Sequence, residues 1–187
     1  MDKMIKIPNT NRKKALFIVD VQPEHINKER KIIVNNIMNV LRGIDYDLYV
    51  EAVFFAEKNS IWDKQQFRTF PKKSLKSVSE IEKFLKPINS IKILKDKKSI
   101  FKGNLDLLKE LKKHKIEEIH LVGVDTNDCI LASAYESFDL QFFTYVIEEC
   151  CAHSESNPKL HKKALDLLRY EHMTNNSILE KTDFIKI

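Results

Sequence analysis

The stretch Ala15-Leu-Phe-Ile-Val-Asp-Val-Gln-Pro23 decides how this chain folds. Its five consecutive apolar residues, 15–19, are typical of a strand that is buried on both faces, as in a parallel sheet covered by helices. Asp20 ends the apolar run, and Pro23 disfavours any continuation of the strand. An amphipathic helix is predicted next, because apolar residues recur at helical spacing at Ile32, Ile33, Ile37, Val40 and Leu41.

The same alternation of strand and helix continues along the chain. Further strands are predicted at 48–56, 91–94, 119–122 and 141–147, with a short sixth strand after residue 172. Helices are predicted at 78–85, 105–111, 129–138 and 158–170, and the polar segment 61–79 is expected to be irregular. This order predicts the α/β class: a three-layer α/β/α domain with a mostly parallel, about six-stranded, Rossmann-like sheet. We expect a single domain over residues 1–187, with its core in 13–172.

Composition excludes several classes of function. With 43% hydrophobic and 32% charged residues but only 3 Gly and 5 Pro, the chain is typical of a globular protein and not of a disordered one. The net charge of +5 is spread over amphipathic segments without a concentrated basic patch, so no nucleic-acid partner is expected. No apolar run approaches the length of a membrane span, and 15–19 is too short for a signal-peptide core. We therefore expect a cytoplasmic protein with no membrane partner.

The cysteines and histidines favour neither a disulfide framework nor a metal site. Cys150 and Cys151 are neighbours, Cys129 stands alone, and the six histidines show no zinc-type spacing. Free thiols are expected, with no metal and no cofactor.

Three residue types suited to catalysis lie at predicted strand ends. In parallel sheets ligands bind at the carboxyl ends of the strands, where Asp20, Lys95 and the turn before Cys129 are expected. A cysteine at a helix N-terminus has a lowered pKa, and the nearby amides can hold an anion. Each residue taken singly has an ordinary structural explanation. Cys129 could be a small buried residue and Asp20 a helix cap, and Lys95 is one of many lysines in the chain. Together they offer a general base, a cation and a nucleophile.

Three segments carry a resemblance to a known family. They are Leu16-Phe-Ile-Val-Asp-Val-Gln22, Lys95-Asp-Lys-Lys-Ser-Ile-Phe101, and Leu121-Val-Gly-Val-Asp-Thr-Asn-Asp-Cys-Ile130 with its continuation to residue 149. In this order they resemble the motifs of the isochorismatase-like cysteine hydrolase superfamily, which includes nicotinamidases, N-carbamoylsarcosine amidases and ureidoacrylate hydrolases. The resemblance covers residues 15 to about 170.

The resemblance implies a set of site residues. Asp20, Lys95 and Cys129 match the catalytic triad of the family. A non-proline cis peptide is implied at Val124–Asp125, which would aim the backbone amides of Asp125 and Cys129 at a developing oxyanion. It also implies a small-molecule substrate and a homo-oligomer, either a dimer or a tetramer.

The sequence departs from the family at several positions. Nicotinamidases of the superfamily bind a metal through Asp-x-His, but the matching residues here are Glu57-Lys-Asn59, so neither a metal nor nicotinamide is expected. His25 stands where many members carry a pocket aromatic, and Asp125 replaces a small residue. The predicted substrate pocket comprises Gln22, His25, Trp62 and Phe101. For Trp62 and Phe67, a lid, a core position and a subunit interface all remain open.

The resulting hypothesis is a cysteine hydrolase that cleaves a C–N bond of a small amide, ureido or carbamoyl compound through a thioester. Two alternatives stand beside it. One is isochorismatase-type vinyl-ether hydrolysis, which does not need the thiol. The other is a catalytically silent relative that binds a metabolite or a partner on the same scaffold.

Overall fold

The structure, a computed structural model, describes residues 4–66, 74–88, 90–153 and 158–187. Its strands are β1 (Met4–Pro8), β2 (Lys14–Val19), β3 (Leu48–Phe54), β4 (Ser90–Lys95), β5 (Glu118–Val124), β6 (Phe143–Ala152) and β7 (Thr182–Lys186). Its helices are α1 (Lys31–Gly43), α2 (Ile61–Gln66), α3 (Ser79–Leu85), α4 (Leu105–Lys113), α5 (Leu131–Asp139) and α6 (Pro158–Tyr170). Five of these strands form a parallel central sheet in the order β4-β3-β2-β5-β6.

Helices cover both faces of the sheet and make three layers, so the predicted α/β/α class is confirmed. On one face, apolar residues of α4, α5 and α6 pack against Ala15, Phe17 and Val19 of β2. On the other face, residues of α1 and α3 pack against Leu16 and Ile18. All five side chains are fully buried. A strand lined by apolar residues on both faces can only be central, which is why 15–19 fixes the middle of the sheet.

The predicted sixth strand does not join the central sheet. β7 pairs antiparallel with β1, and Met4 lies opposite Lys186 in a separate two-stranded sheet. β1 was not predicted, although Ile5 and Ile7 lie on either side of the polar Lys6 and both are fully buried. Their side chains pack in the α1 face of the core, so buried residues extend outside the expected limits of 13–172.

Smaller differences concern segment ends. The segment 61–79, expected to be irregular, contains the short helix α2, and its residues 67–73 lie outside the described part of the chain. Asn104 precedes α4, and its side chain donates to the carbonyl of Ile100 at 2.6 Å and makes no capping hydrogen bond. Among the described residues, no helix has the length and apolar character needed to cross a bilayer.

A buried polar network lies at the amino end of the sheet, opposite the predicted site. Glu118, whose side chain is fully buried, accepts hydrogen bonds from Thr10 at 2.8 Å and Arg12 at 3.1 Å. Its other oxygen lies 2.8 Å from Nε2 of His120. Burial alone would raise the pKa of Glu118, but the hydrogen bonds from His120, Thr10 and Arg12 outweigh it and the pKa is lowered. Glu118 is therefore a charged group that depends on its partners.

His120 is neutral in this network. Burial lowers its pKa, and the neighbouring Glu118 only partly opposes this effect. Burial also raises the pKa of Tyr46 well above its usual value, so its phenol remains protonated and donates to Nδ1 of His120 at 2.9 Å. Nε2 of His120 then carries the proton and donates to Glu118. The network thus ties the segment before β2 to the start of β5.

Removing the arginine should be costly for stability. Arg12→Met leaves the Glu118 carboxylate buried without its cation, and we expect the free energy of unfolding to fall by about 2–4 kcal/mol. Urea denaturation at pH 7 measures the loss. Lys13→Met is the matched control, because Lys13 pairs with Asp47 at 3.7 Å with its side chain 54% exposed. We expect that substitution to cost less than about 1 kcal/mol. Equal losses in the two variants would contradict this role for Arg12.

Candidate active site

The candidate site lies where the chain order of the sheet reverses. From the central β2 the chain adds β3 and β4 on one side and later β5 and β6 on the other, so a crevice opens between the ends of β2 and β5. Val19 pairs with Gly123 at this point. Gly123 has φ of 124°, and a Cβ at this position would lie 2.1 Å from the carbonyl oxygen of Val19. Glycine is therefore required here, since any side chain would push the two strand ends apart.

Asp20 turns the chain out of β2 into this crevice. Its φ is 55°, a left-handed conformation that aspartate tolerates better than most residues. Its amide donates to the carbonyl of Ala52 at 2.8 Å, and its side chain is buried. The carboxylate oxygen Oδ1 is buried and has no hydrogen-bond partner among the described residues. One oxygen is therefore available to accept a proton.

Lys95 joins the other two members of the predicted triad. It is the last residue of β4, two strands from β2, and its long side chain crosses the end of β3. Its ammonium donates to Oδ2 of Asp20 at 2.7 Å, to Sγ of Cys129 at 3.3 Å and to the carbonyl of Lys97 at 3.2 Å. An ammonium has three protons, so each of them has an acceptor. Burial would lower the pKa of Lys95, but the neighbouring Asp20 and Cys129 outweigh it and the pKa is raised.

The thiol differs from the sequence expectation. Cys129 lies in a π-helical turn, Thr126–Ile130, and the regular helix α5 begins two residues later. Its pKa is raised well above the usual value and not lowered, first because the thiol is buried and then because Asp20 is close. Lys95 opposes this rise, while Asp128 adds to it. The expectation of a thiol activated by a helix N-terminus was therefore wrong: the free protein holds a protonated thiol.

The turn before Cys129 is held on several sides. The Val124–Asp125 peptide bond, which the resemblance implied to be cis, is cis in the structure. The carbonyl of Asp125 accepts hydrogen bonds from the amides of Asp128 at 3.0 Å and Ile130 at 3.2 Å. Thr126 donates its hydroxyl to the carbonyl of Ala152 at 2.8 Å. These contacts leave the turn little freedom to move the nucleophile.

Ser133 and His161 support the same turn and were missed by the sequence analysis. The Ser133 hydroxyl donates to the carbonyl of Cys129 at 2.6 Å and accepts from the amide of Ile100 at 3.2 Å. On α6, Nδ1 of His161 lies 2.9 Å from the Thr126 hydroxyl. The i, i+4 spacing of Ser133 from Cys129 is a signal that the sequence contains, because a serine there can bond the carbonyl one turn back.

Asp125 points towards an arginine. Its carboxylate lies 2.9 Å from the guanidinium of Arg30, whose side chain is only 10% exposed. Asp125, which replaces a small residue of the family pattern, therefore has a cation beside its carboxylate. Sequence reasoning did not find Arg30, because the two residues are 95 positions apart and no motif links them.

The predicted pocket residues divide into two groups. Gln22 is fully buried, and its side chain bonds the amide of Phe54 at 2.9 Å and the carbonyls of Phe54 and Ser74. Phe101 is buried in the core, 5.6 Å from the ring of Phe17. Both residues are buried beneath the site, where they support neighbouring segments and offer no surface to a ligand.

Trp62 and His25 each contact a backbone carbonyl at or next to a triad residue. Trp62 is 6% exposed, packs edge-on against Phe54 at 4.9 Å and donates to the carbonyl of Asp96 at 2.8 Å. Of the three roles left open for it, the structure shows a packed core position beside the Lys95 segment. His25 is partly buried, and its Nδ1 lies 2.9 Å from the carbonyl of Asp20. Phe67 lies outside the described residues.

The position of the family's metal motif has the wrong chemistry for a metal. Glu57 and Asn59 line a cavity of about 380 Å³ together with Lys58 and Lys95. Two lysines and no imidazole stand beside the carboxylates of Glu57 and Asp96 in this lining, which makes it a poor cation site. In the described ranges, no group of three or more His, Cys, Asp or Glu side chains could hold a metal.

The chain is thus an α/β protein with a five-stranded parallel sheet and an acid, an amine and a thiol at its switch point. The family model described as "Isochorismatase domain" matches residues 14–178, and the chain belongs to this family. This membership supports a hydrolase activity. No curated protein is significantly similar to the chain in sequence.

Several solved structures share the fold. The chain is 22% identical to the nicotinamidase of Staphylococcus aureus, with a TM-score of 0.64 over 84% of this chain and 95% of the other. For the nicotinamidase of Bacillus subtilis the identity is 21% and the TM-score 0.67, over 84% and 94%. For the N-carbamoylsarcosine amidase of Thermoplasma acidophilum they are 19% and 0.70, over 87% and 94%. At these identities the similarity shows the shared fold.

Lys95 should control the reactivity of the thiol. Burial and Asp20 raise the pKa of Cys129, and the Lys95 ammonium opposes this rise. Lys95→Met should therefore slow alkylation of Cys129 by at least about tenfold between pH 7 and 9. Iodoacetamide labelling followed by peptide mass spectrometry measures the rate at each cysteine. Lys97→Met is the control, since the Lys97 side chain is 54% exposed and only its backbone contacts Lys95. Unchanged labelling in Lys95→Met would contradict the ammonium's role.

Proposed function

We propose that this protein hydrolyses a C–N bond of a small amide, ureido or carbamoyl compound, with Cys129 as the nucleophile. One observation carries the proposal: the buried ammonium of Lys95 contacts both the Asp20 carboxylate, at 2.7 Å, and the Cys129 sulfur, at 3.3 Å. A base, a cation and a thiol in mutual reach are the elements of nucleophilic catalysis at a carbonyl group.

The first half-reaction forms a thioester. Asp20 accepts the thiol proton on Oδ1 as Sγ of Cys129 attacks the carbonyl carbon. The backbone amides of Asp125 and Cys129 stabilise the tetrahedral oxyanion. Asp20 then passes its proton to the leaving nitrogen, the C–N bond breaks, and an amine or ammonia departs. The acyl group remains on the sulfur.

The second half-reaction releases the acid. Asp20, again a carboxylate, takes a proton from water, which attacks the thioester carbonyl. The tetrahedral intermediate collapses, the C–S bond breaks, and the sulfur regains the proton from Asp20. The products are a carboxylic or carbamic acid and the free thiol, so the protein returns to its starting state.

A raised thiol pKa suits this cycle. Burial raises the pKa of the Cys129 thiol, and the pKa of Lys95 is raised because Asp20 and Cys129 outweigh its burial. Moving the proton from sulfur to Asp20 leaves the net charge of the site unchanged, so no additional net charge arises in the buried site. A proton held there is also available for the leaving nitrogen, which a permanently ionised thiolate would not provide.

The decisive measurement is a release assay over a panel of small amides, ureido acids and carbamoyl compounds. Cys129→Ala should lower kcat on any accepted compound by at least about 10³-fold, because the nucleophile is gone. Mass spectrometry of the quenched wild-type reaction should show the acyl group on Cys129. Cys150→Ala is the matched control: Cys150 is an equally buried thiol on the opposite face of the sheet, and its loss should leave kcat within about twofold.

The possible outcomes separate the alternatives. Full activity in Cys129→Ala would overturn the thioester route, and turnover of a vinyl ether without turnover of any panel compound would favour isochorismatase-type chemistry. Binding of panel compounds without turnover, together with equal and slow alkylation of all three cysteines, would favour a non-catalytic binding protein.

A further inference from the structure

Arg30 lies immediately before α1 and reaches three segments that surround the candidate site. Its Nη1 donates to the carbonyl of His25 at 2.8 Å, and its Nη2 donates to the carbonyl of His153. The same Nη2 lies 2.9 Å from Oδ1 of Asp125. Loop 20–25, the end of β6 and the turn before Cys129 are therefore joined by one guanidinium.

These contacts reach the catalytic groups on both sides. His25, whose carbonyl Arg30 holds, has its ring nitrogen Nδ1 2.9 Å from the carbonyl of Asp20. Asp125 is four residues before Cys129, and its backbone amide is one of the two proposed oxyanion donors. The position of Arg30 thus affects both the base and the turn that holds the nucleophile.

Three carboxylates lie on the segments that form the site, and each has a cation beside it. Asp20 pairs with Lys95 and Asp128 with Lys98, while Asp125 pairs with Arg30. Asp20 and Asp128 already raise the pKa of Cys129. A third uncompensated carboxylate would disfavour the thiolate further.

We propose that Arg30 is a positioning residue of the active site, which neutralises Asp125 and holds the Asp20 loop against the nucleophile turn. This inference rests on the proposed function and deepens it. Arg30 reaches its acceptors through two nitrogens, Nη1 and Nη2, held in one rigid plane, an arrangement that the single nitrogen of a lysine does not reproduce. With its side chain only 10% exposed, Arg30 is poorly screened by solvent, unlike an ordinary surface ion pair.

The test compares four variants in the full chain: Arg30→Met, Arg30→Lys, Asp125→Asn and the double variant Arg30→Met/Asp125→Asn. The readout is the pH dependence of Cys129 alkylation by iodoacetamide, followed by peptide mass spectrometry, so no substrate is needed. Thermal unfolding of each variant reports whether it is folded.

Charge compensation predicts opposite signs for the two single substitutions. Arg30→Met should slow alkylation about fivefold at pH 8, because Asp125 loses the guanidinium beside it. Asp125→Asn should speed it about threefold, because the guanidinium is then unopposed. The double variant should return to within about twofold of wild type, and Arg30→Lys should lie between Arg30→Met and wild type. A role in stability alone would lower the unfolding temperature without this rescue.

Two results would overturn the proposal. One is wild-type alkylation in folded Arg30→Met. The other is slow alkylation in both Arg30→Met and the double variant. If Arg30→Met does not fold, unchanged or slower alkylation in Asp125→Asn overturns it instead. Failure of the proposed function is recognised separately: wild-type Cys129 would then label no faster than Cys150 and Cys151, and both proposals would fall.

Discussion

One buried ammonium connects the two halves of the candidate site. Lys95 comes from the edge strand β4 and spans the end of β3 to reach Asp20 and Cys129, which follow neighbouring strands. Asp20 without this cation would be a buried, unpaired carboxylate, whose charged form is strongly disfavoured. The thiol would likewise lose the one group that opposes its raised pKa. The charge states that the proposed chemistry needs therefore depend on a side chain two strands away from β2.

The amino end of the sheet also contains a buried carboxylate that needs polar partners, but there all the partners are present. There Glu118 is buried with Arg12, Thr10 and His120, and every partner is engaged by another polar group. At the carboxyl end, Oδ1 of Asp20 has no partner among the described residues. A saturated network stabilises the fold, whereas an unsatisfied acceptor next to a nucleophile offers a place for a proton. The two clusters thus differ in their hydrogen bonding: the Glu118 cluster is fully hydrogen-bonded, and the candidate catalytic cluster around Asp20 is not.

Much of this arrangement is predictable from local sequence. The apolar run before Asp20 identifies the central strand, and the order of strands and helices predicts the class. Strand ends meet at one edge of a parallel sheet, so Asp20, Lys95 and Cys129 could be grouped without a structure. The family motif then selected Lys95 among neighbouring lysines. These inferences depend on short stretches of chain and on rules of sheet topology.

The remaining features depend on contacts between distant residues. The pairing of Arg30 with Asp125 and the pairing of β1 with β7 join parts of the chain that share no pattern. The direction of the Cys129 pKa was predicted wrongly, because burial and Asp20 outweigh any effect of the following helix. Gln22 was assigned to the pocket, yet it is fully buried and its side chain bonds the backbone of Phe54 and Ser74 and the Glu24 carboxylate.

The close approach at Gly123 has a consequence for how such a protein can diversify. With the Val19 carbonyl against the space where a side chain would be, β2 and β5 can neither separate nor admit a larger residue. The distance between the groups that follow these two strands, Asp20 and Cys129, is thereby nearly fixed. A substitution that changed this distance would also disrupt the sheet. Variation in substrate preference is left to the segments that leave the strand ends, such as 23–30 and 55–66. Steric exclusion at Gly123 fixes the geometry of the reacting centre, whereas the surrounding segments are not constrained in this way.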